Sequence, residues 1–440
     1  MKEKEIICGF SKLSKSQKLE YISGQFDDPS HIVNELKSFF HGEEDKQKIF
    51  DEFSENTISN FYFPYGIAPN FVIDGSIYHV PLVIEESSVV AAAAKSAKFW
   101  SDKGGFHTEI LSTTKIGQVH FIWHGNVSKL RTLMPDLKER MIERTRSITA
   151  NMEARGGGIL DIELVDKTKD IPDYYQIKAS FETVDSMGAN FINSCLEEFA
   201  AELKEFFRES PYFKDEERNC EVIMSILSNY TPDCLVRSTV ECDVSELDGI
   251  DEELNGEQFA WKFEKAVQIA QLDTYRATTH NKGIFNGIDA VALATGNNFR
   301  AIEACGHAYA ARDGKYKSLT EVEVKDGKFR YSLTIPLALG TVGGLTSLHP
   351  LAKISLEMLG NPGAHDLMRI AASVGLANNF GAIKSLVTKG IQKGHMKMHL
   401  LNILNKFGAS IEEKVKAKVH FETQKVSFSA VEKYLDGLRT

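Results

Sequence analysis

The sequence predicts a mixed α/β (α+β) protein in which a small ferredoxin-like domain interrupts a large, helix-rich α/β domain. The 440 residues exceed what one ordinary hydrophobic core holds, so two or three domains are expected. Residues 119–229 follow the order βαββαβ, which is typical of the split ferredoxin-like arrangement. Helical segments rich in Gly and Ala return after about Cys234. We therefore expect a large domain at 1–118 and 233–390, a small domain at 119–232 and a helical C-terminal segment at 391–440.

The individual elements follow from apolar periodicity and from stop signals. Near the start we predict helices at Ser14–Ser23 and His31–Phe40, a strand-like stretch at Phe61–Val83, and a helix from Ser88 to Trp100 with Ser87 or Ser88 as N-cap. The insertion should hold strands at Gly117–Trp123, Ile159–Val165, Tyr174–Thr183 and Cys220–Leu227, with helices at Val127–Met152 and Ala189–Phe207. After it we predict helices at Gly256–Asp273, Asp289–Ala311 and Leu351–Leu359, and strands at Thr320–Glu323 and Phe329–Leu333.

Composition narrows the possible function classes. The net charge of −10 argues against nucleic-acid binding, because phosphate recognition needs concentrated Lys and Arg. A phosphate-bearing ligand is still possible at a local basic patch or a helix N-terminus. The six cysteines form no C-x-x-C pair and no metal spacing, so we expect reduced thiols, no metal site and a cytoplasmic protein. We find no secretory signal and no run of about 18 apolar residues, so no membrane span is expected.

Two carboxylates, Glu85 and Glu86, end a predicted strand just before Ser87, Ser88 and a helix. Acidic residues near a helix N-terminus are favoured by the helix dipole alone, which is the simpler explanation. The functional alternative is a general acid, which needs one carboxyl group buried and protonated near neutral pH. The local sequence leaves both explanations open.

Three further strings suit a ligand site but also have simpler explanations. Tyr275 to Asp289 concentrates hydrogen-bond donors and two glycines, which suits a carboxylate or thioester oxygen; a solvated loop is the alternative. Asp185 to Asn190 precedes a predicted helix and suits a diphosphate, or is simply an N-cap. No G-x-G-x-x-G follows a strand, so a Rossmann site is unsupported. His395, between a glycine and an apolar segment, is a surface residue or an acid for a leaving thiolate.

These strings occur together and in order, and with them the sequence resembles the class II (bacterial) hydroxymethylglutaryl-CoA reductases over nearly its whole length. The resemblance is carried by Glu55-Asn56, Val80 to Glu86, Asp185-x-Met187-Gly188-x-Asn190, Arg276 to Asp289, Ala294-Thr295-Gly296-Asn297, Val342-Gly343-Gly344, His349-Pro350 and Gly394-His395-Met396. It implies a two-step hydride reduction of 3-hydroxy-3-methylglutaryl-CoA to mevalonate and CoA, through a bound hemithioacetal and aldehyde, in the mevalonate pathway of isoprenoid biosynthesis.

The roles of individual residues are implied by this resemblance alone. It implies that Glu86 is the catalytic acid, that Lys282 stabilises the oxyanion, and that His395, on a C-terminal flap segment, protonates the CoA thiolate. Arg276 would pair with the terminal carboxylate of the substrate, and the other substrate-binding positions are Ser88, Asn286, Thr279 and Glu55. The cofactor-binding positions are Asp161, Asp185, Met187, Gly188 and Asn190.

The resemblance implies NADH or NADPH as cofactor. Asp161 corresponds to an acid that takes the adenosine ribose hydroxyls and should repel a 2′-phosphate, which favours NADH modestly, although nearby lysines can offset it. The implied small-molecule partners are hydroxymethylglutaryl-CoA, mevalonate and CoA, and no nucleic-acid or membrane partner is expected. A homodimer or a trimer of dimers is implied as well, with the active site between subunits.

One position departs from the family pattern in a way that affects function. This chain has Asn298 where family members have an aspartate between the catalytic lysine and glutamate. The amide keeps the size but not the charge, so the pKa of Lys282 should fall and Glu86 loses one reason to stay protonated. Three functions stay open: a biosynthetic reductase, a catabolic mevalonate oxidase, and a weakly active or ligand-binding variant. A smaller departure is Asn378-Asn379, where Gln-Asn is more usual.

Overall fold

The computed structural model of the protein describes residues 6–388, 390, 400–421, 424 and 426–439. The strands are β1 (Tyr65–Ile73), β2 (Ser76–Val83), β3 (His107–Ile110), β4 (Lys115–Trp123), β5 (Gly158–Asp166), β6 (Tyr174–Glu182), β7 (Cys220–Leu227), β8 (Leu235–Asp243), β9 (Thr320–Lys325) and β10 (Lys328–Pro336). The helices are α1 (Lys15–Ser23), α2 (Pro29–Ser38), α3 (Glu44–Asp51), α4 (Val89–Ser101), α5 (Val127–Glu153), α6 (Ala189–Glu209), α7 (Gly256–Leu272), α8 (Thr274–Ala294), α9 (Phe299–Ala310), α10 (Leu345–Leu348), α11 (Pro350–Met358), α12 (Ala364–Val387), α13 (described over 400–406), α14 (Ile411–His420) and α15 (Phe428–Arg439).

The sheet of the insertion has the strand order β5-β6-β4-β7, and every neighbouring pair is antiparallel. The helices α5 and α6 cover one face, where side chains such as Phe121, Ile177 and Leu203 form a hydrophobic core of their own. In chain order the elements are β4, α5, β5, β6, α6 and β7, which is the βαββαβ arrangement. The ferredoxin-like prediction is therefore confirmed.

A second sheet, with the order β3-β8-β10-β9, and the β1–β2 hairpin belong to the larger part of the fold. Helix α12 packs against α8, α4 and this sheet, while α4 and α8 also pack on the hairpin. Their apolar side chains form one hydrophobic core. Within the described residues, α12 is the one helix long and apolar enough to cross a membrane, but 67% of its most apolar stretch is buried inside the protein. It is the central core helix of this part of the chain.

A third, smaller hydrophobic core joins the C-terminal helices. Leu400 and Leu404 of α13 pack with Val431 and Leu435 of α15, and α14 contributes Ala417. This core is separate from the other two, so the C-terminal helices form a compact unit around their own apolar side chains.

The prediction of one helix from Asp289 to Ala311 is wrong. Helix α8 ends at Ala294, and α9 begins only at Phe299. Gly296 between them has a φ of 72°, in the left-handed region that ends helices, and Asn298 then caps α9. The loop alternative for the Tyr275–Asp289 string is also wrong, because these residues lie inside α8.

The two glycines of that string serve helix packing. A Cβ on Gly287 would lie 2.7 Å from the carbonyl oxygen of Val374 and 2.7 Å from Nδ2 of Asn378, both on α12. A Cβ on Gly283 would lie 3.5 Å from Nδ2 of Asn379, one turn along. The absent side chains let α8 approach α12 closely, so these glycines bring two helices together rather than a ligand to the backbone.

Candidate active site

Helix α8 carries a row of hydrogen-bond donors on one face. Arg276, Thr279, Lys282 and Asn286 follow spacings of three and four residues, which places them within about 120° of arc. Thr279 and Lys282 are exposed, while Arg276 and Asn286 are partly buried. Burial lowers the pKa of Arg276 from its ordinary value, although a guanidinium stays charged in proteins. The helix thus presents two cations and two polar groups toward the same side.

Glu86 lies directly opposite Lys282. The carboxylate follows the end of β2, in the turn that leads to α4, and its Oε2 accepts a hydrogen bond from Nζ of Lys282 across 196 residues of sequence. The exposed side-chain fractions are 57% for Lys282 and 38% for Glu86. A surface-accessible ion pair of this kind adds only about 0–1 kcal/mol to stability, so stability alone does not explain its position.

The predicted capping role of Ser88 is not supported by the geometry. Ser88 does precede α4, but its φ is 80° and its side chain makes no capping hydrogen bond. A non-glycine residue in the left-handed region is uncommon and is often found at functional sites. Its hydroxyl is exposed in the turn that also holds Glu86.

Asn298 lies at the N-terminus of α9, where its Oδ1 accepts a hydrogen bond of 3.3 Å from the backbone N–H of Ala301. Among the described residues, its side chain makes no hydrogen bond to Lys282 or Glu86. The amide is exposed. In this conformation Asn298 is a helix cap.

The predicted cofactor segment, 185–190, joins β6, in the sheet of the insertion, to helix α6. Oδ1 of Asp185 accepts a hydrogen bond of 2.8 Å from Ala364 N at the start of α12, and its carbonyl oxygen accepts another of 2.8 Å from Thr341 N. Gly188 stands at the N-cap of α6 with a φ of 90°, and no side chain of the described residues caps the first turn. Met187 and exposed Asn190 flank this glycine. The uncapped end of a 21-residue helix can receive an anion, and Asp185 docks the loop on the larger part of the fold.

Asp161, on β5, is exposed and forms an ion pair with Lys138 of α5. The Lys138 ammonium holds the pKa of the Asp161 carboxyl below its usual range. The charge of Asp161 is therefore partly offset by Lys138, one of the nearby lysines that the sequence led us to expect.

Of the remaining predicted residues, Glu55 is described and His395 is not. Glu55 is exposed, in the turn after α3, and no hydrogen bond links it to Lys282 or Glu86. His395 lies outside the described residues. Within those residues there is also no group of three His, Cys, Asp or Glu side chains that could hold a metal ion.

Sequence reasoning missed four polar residues near the donor row, two of them buried and two half-buried. His280 and Asn281 are 1% and 0% exposed, and on α8 and α9 the carboxyl groups of Asp289 and Glu303 share a hydrogen bond. The Tyr275–Asp289 string contained three of the four, but only the helical geometry separates the face that meets the core from the face that meets solvent.

Comparison with known proteins identifies the family to which the chain belongs. The model of the hydroxymethylglutaryl-coenzyme A reductase family matches residues 17–400. The 3-hydroxy-3-methylglutaryl-coenzyme A reductase of Archaeoglobus fulgidus is 39% identical over 368 residues, which cover 83% of this chain and 80% of that protein. A probable 3-hydroxy-3-methylglutaryl-coenzyme A reductase of Borreliella burgdorferi is 30% identical over 447 residues, covering 99% and 98%.

Solved structures agree as well. The 3-hydroxy-3-methylglutaryl-coenzyme A reductase of Streptococcus pneumoniae superposes with a TM-score of 0.72 at 34% identity, over 98% of this chain and 99% of that one. A structure of the class II enzyme from the same organism, bound to NADPH in open conformations, gives a TM-score of 0.71 at 35% identity, over 86% and 99%. The chain belongs to the hydroxymethylglutaryl-CoA reductase family.

Proposed function

We propose that this chain reduces 3-hydroxy-3-methylglutaryl-CoA to mevalonate and CoA in two hydride transfers from a nicotinamide cofactor. The observation that carries the proposal is the Lys282–Glu86 pair, in a chain that matches the reductase family over residues 17–400. A cation beside a carboxyl group is what reduction of a thioester needs, since negative charge develops on the carbonyl oxygen and must then receive a proton.

Lys282 and Glu86 divide this work. The ammonium of Lys282 stabilises the oxyanion, and because it donates from an exposed side chain it can turn from Glu86 toward a substrate oxygen. Glu86 supplies the proton by resemblance. Its carboxyl group is partly exposed rather than buried as the sequence led us to expect, so water can return the proton to it. The nicotinamide cofactor, when bound, supplies the hydride. His395 is assigned the protonation of the CoA thiolate, and the segment 391–440 the role of a flap, by resemblance.

The substrate is held along the same face of α8. Arg276 pairs with the terminal carboxylate, because a planar guanidinium binds a carboxylate through two hydrogen bonds and partial burial strengthens that attraction. Thr279, Asn286 and Ser88 donate to the hydroxyl and carbonyl groups, and Glu55 completes the substrate-binding set. We assign this site to the domain at 1–118 and 233–390.

The cofactor is assigned to the domain at 119–232. The uncapped N-terminus of α6 at Gly188 fits a diphosphate, since its first-turn N–H groups lack a side-chain cap. Asp161 takes the ribose hydroxyls. Because Lys138 offsets its charge, we expect its repulsion of a 2′-phosphate to be weak and the preference for NADH to be small.

A homodimer, or a trimer of dimers, is proposed as the working assembly in a cytoplasmic enzyme. Support comes from a row of exposed apolar side chains along α10 and α11, which a monomer would leave in water. The row consists of Leu345, Leu348, Leu351, Ile354 and Met358.

The test is oxidation of NADH, and separately of NADPH, with saturating hydroxymethylglutaryl-CoA, followed by absorbance. We expect two cofactors oxidised per CoA released, and a loss of roughly 10²–10³ in kcat for Lys282→Ala without loss of cofactor binding. The catabolic direction is tested by adding mevalonate, CoA and the oxidised cofactor to the enzyme and following reduction of the cofactor by absorbance. Tight binding of both ligands without turnover in either direction would instead favour a binding protein and refute the reductase.

A further inference from the structure

The middle of α8 is buried at two positions where a core helix ordinarily carries apolar residues. His280 is 1% exposed and Asn281 is 0% exposed, and they directly precede Lys282. Burying polar groups is unfavourable unless each is hydrogen-bonded, and an apolar side chain of similar size would meet no such requirement. Their presence beneath the donor row therefore needs an explanation other than core stability.

Asn281 bonds α8 to the segment that leads into β9. Its Nδ2 donates to the hydroxyl of Tyr316 and to the carbonyl oxygen of Lys317, each at 3.0 Å. Its Oδ1 accepts from Leu319 N at 3.0 Å. One amide side chain thus satisfies a backbone acceptor and a backbone donor of the neighbouring segment, as a paired strand would. These three bonds hold only at one rotation and one height of the helix.

His280 fixes the same turn from two further sides. Its Nε2 lies 2.6 Å from Oγ1 of Thr320 on β9. Its carbonyl oxygen accepts a hydrogen bond of 2.7 Å from Nδ2 of Asn379 on α12, and that amide in turn accepts from the hydroxyl of Tyr331 on β10. Burial, and next the charge of Arg276, lower the pKa of His280 to about 3, so the ring is neutral and Nε2 can take one fixed role.

The consequence is a defined position for Lys282. A rotation of α8 by one residue, about 100°, would break the bonds of both side chains and turn the Lys282 ammonium away from Glu86. We propose that His280 and Asn281 are positioning residues for the reduction, which lock α8 against β9, β10 and α12 and thereby hold Lys282 at the reacting oxygen. This role rests on the proposed function, since it assigns the lock to the residue that acts there.

The experiment compares Asn281→Leu, which replaces the amide by an apolar group of similar size, with Ser373→Ala. Ser373 also makes a fully buried hydrogen bond, of 3.0 Å to Ser238, but this bond joins α12 to β8 and does not touch α8. We expect Asn281→Leu to lower kcat roughly 10–100-fold with the KM for the thioester and the cofactor Kd within about threefold, because a misplacement near 1 Å costs that much in rate. Ser373→Ala should keep kcat within about threefold.

A second pair tests the lock independently if Asn281→Leu does not fold. In His280→Gln the amide nitrogen can occupy the place of Nε2 and keep the bond to Thr320, whereas His280→Leu cannot. We expect Gln to retain most of kcat and Leu to lose it. Equal kcat in the Gln and Leu variants, or wild-type kcat in folded Asn281→Leu, would overturn the positioning role.

A readout without turnover separates this inference from the proposed function. Amine acylation of Lys282, followed by mass spectrometry and normalised to exposed Lys262 on α7, reports whether the Glu86 pair is held. We expect Lys282 to be acylated several-fold faster in Asn281→Leu than in the wild type or in Ser373→Ala. An unchanged ratio refutes the lock, even if the wild type proves inactive; a changed ratio in an inactive wild type refutes only the reductase.

Discussion

A carboxyl pair between α8 and α9 gives the protein a pH-dependent stability. Asp289 of α8 shares a hydrogen bond with Glu303 of α9, and its Oδ1 is buried with no hydrogen-bond partner among the described residues. Burial, and next the charge of Glu303, raise the pKa of Asp289 to about 8. In the unfolded chain the same group titrates near its ordinary value, about 3.9.

The sign follows from proton counting. Between about pH 4 and pH 8 the folded state keeps a proton that the unfolded state has lost, so the free energy of unfolding falls as pH rises through this window. The limiting slope for one proton is about 1.4 kcal/mol per pH unit. Because solvent reaches part of the pair, we expect roughly 1–2 kcal/mol between pH 6 and pH 8.

Asp289→Asn removes this titration and keeps a group that can donate to Glu303. Urea unfolding at pH 6, 7 and 8, followed by circular dichroism, measures the free energy of unfolding for both proteins. The free energy of unfolding of Asp289→Asn, relative to that of the wild type, should rise with pH. The other titrating groups are the same in both proteins and cancel when one value is subtracted from the other. Glu303→Gln, which removes the neighbouring charge but not the burial of Asp289, should weaken the pH dependence only in part. A wild-type-to-variant difference that is constant from pH 6 to pH 8 would refute the shared proton.

Two further predictions concern the turn at Gly105 and the asparagine at position 298, where family members have an aspartate. Gly105 has a φ of 78°, and a Cβ there would lie 2.4 Å from the carbonyl oxygen of Val72, so Gly105→Ala should cost about 2–4 kcal/mol in urea unfolding. Gly104, with a φ of 91° and its nearest atom 3.6 Å away, is the matched control: its Ala variant should lose only about 1 kcal/mol, and equal losses would contradict the clash. If residue 298 acts with Lys282 and Glu86, as the proposed function implies, Asn298→Asp should raise kcat roughly 10²-fold. Stability should change by no more than about 0.5 kcal/mol, because Asp caps a helix as well as Asn. Unchanged turnover would show that the charge at residue 298 is not limiting.

The βαββαβ insertion could be predicted from the sequence because its strands and helices are each amphipathic. The periods of two and 3.6 residues alternate cleanly from Lys115 to Leu227, and the βαββαβ order then leaves few topologies. Helix α12 could not be recognised in this way. It is buried on nearly every side, so its sequence shows no polar face to mark a helical period.

Only part of the candidate site could be predicted from the sequence. The donors of α8 stand close together in the chain, but the Lys282–Glu86 pair joins residues 196 positions apart, and no local pattern encodes that contact. The glycines at 283 and 287 were misassigned for a related reason. Glycine permits close approach of anything to the backbone, and only the packing identifies that partner as α12.

The interpretation of Asn298 needs both the local sequence and the fold. Its position at the start of α9 needs a side-chain oxygen that can accept from Ala301 N, and Asn and Asp meet this need equally. Capping of α9 therefore does not require a charge at residue 298, and the amide does not indicate a destabilised fold. Under the proposed function, any effect of the amide on activity therefore acts through the electrostatics of the site rather than through folding. For this reason the ratio of activity to stability in Asn298→Asp, and not activity alone, measures what the family aspartate contributes.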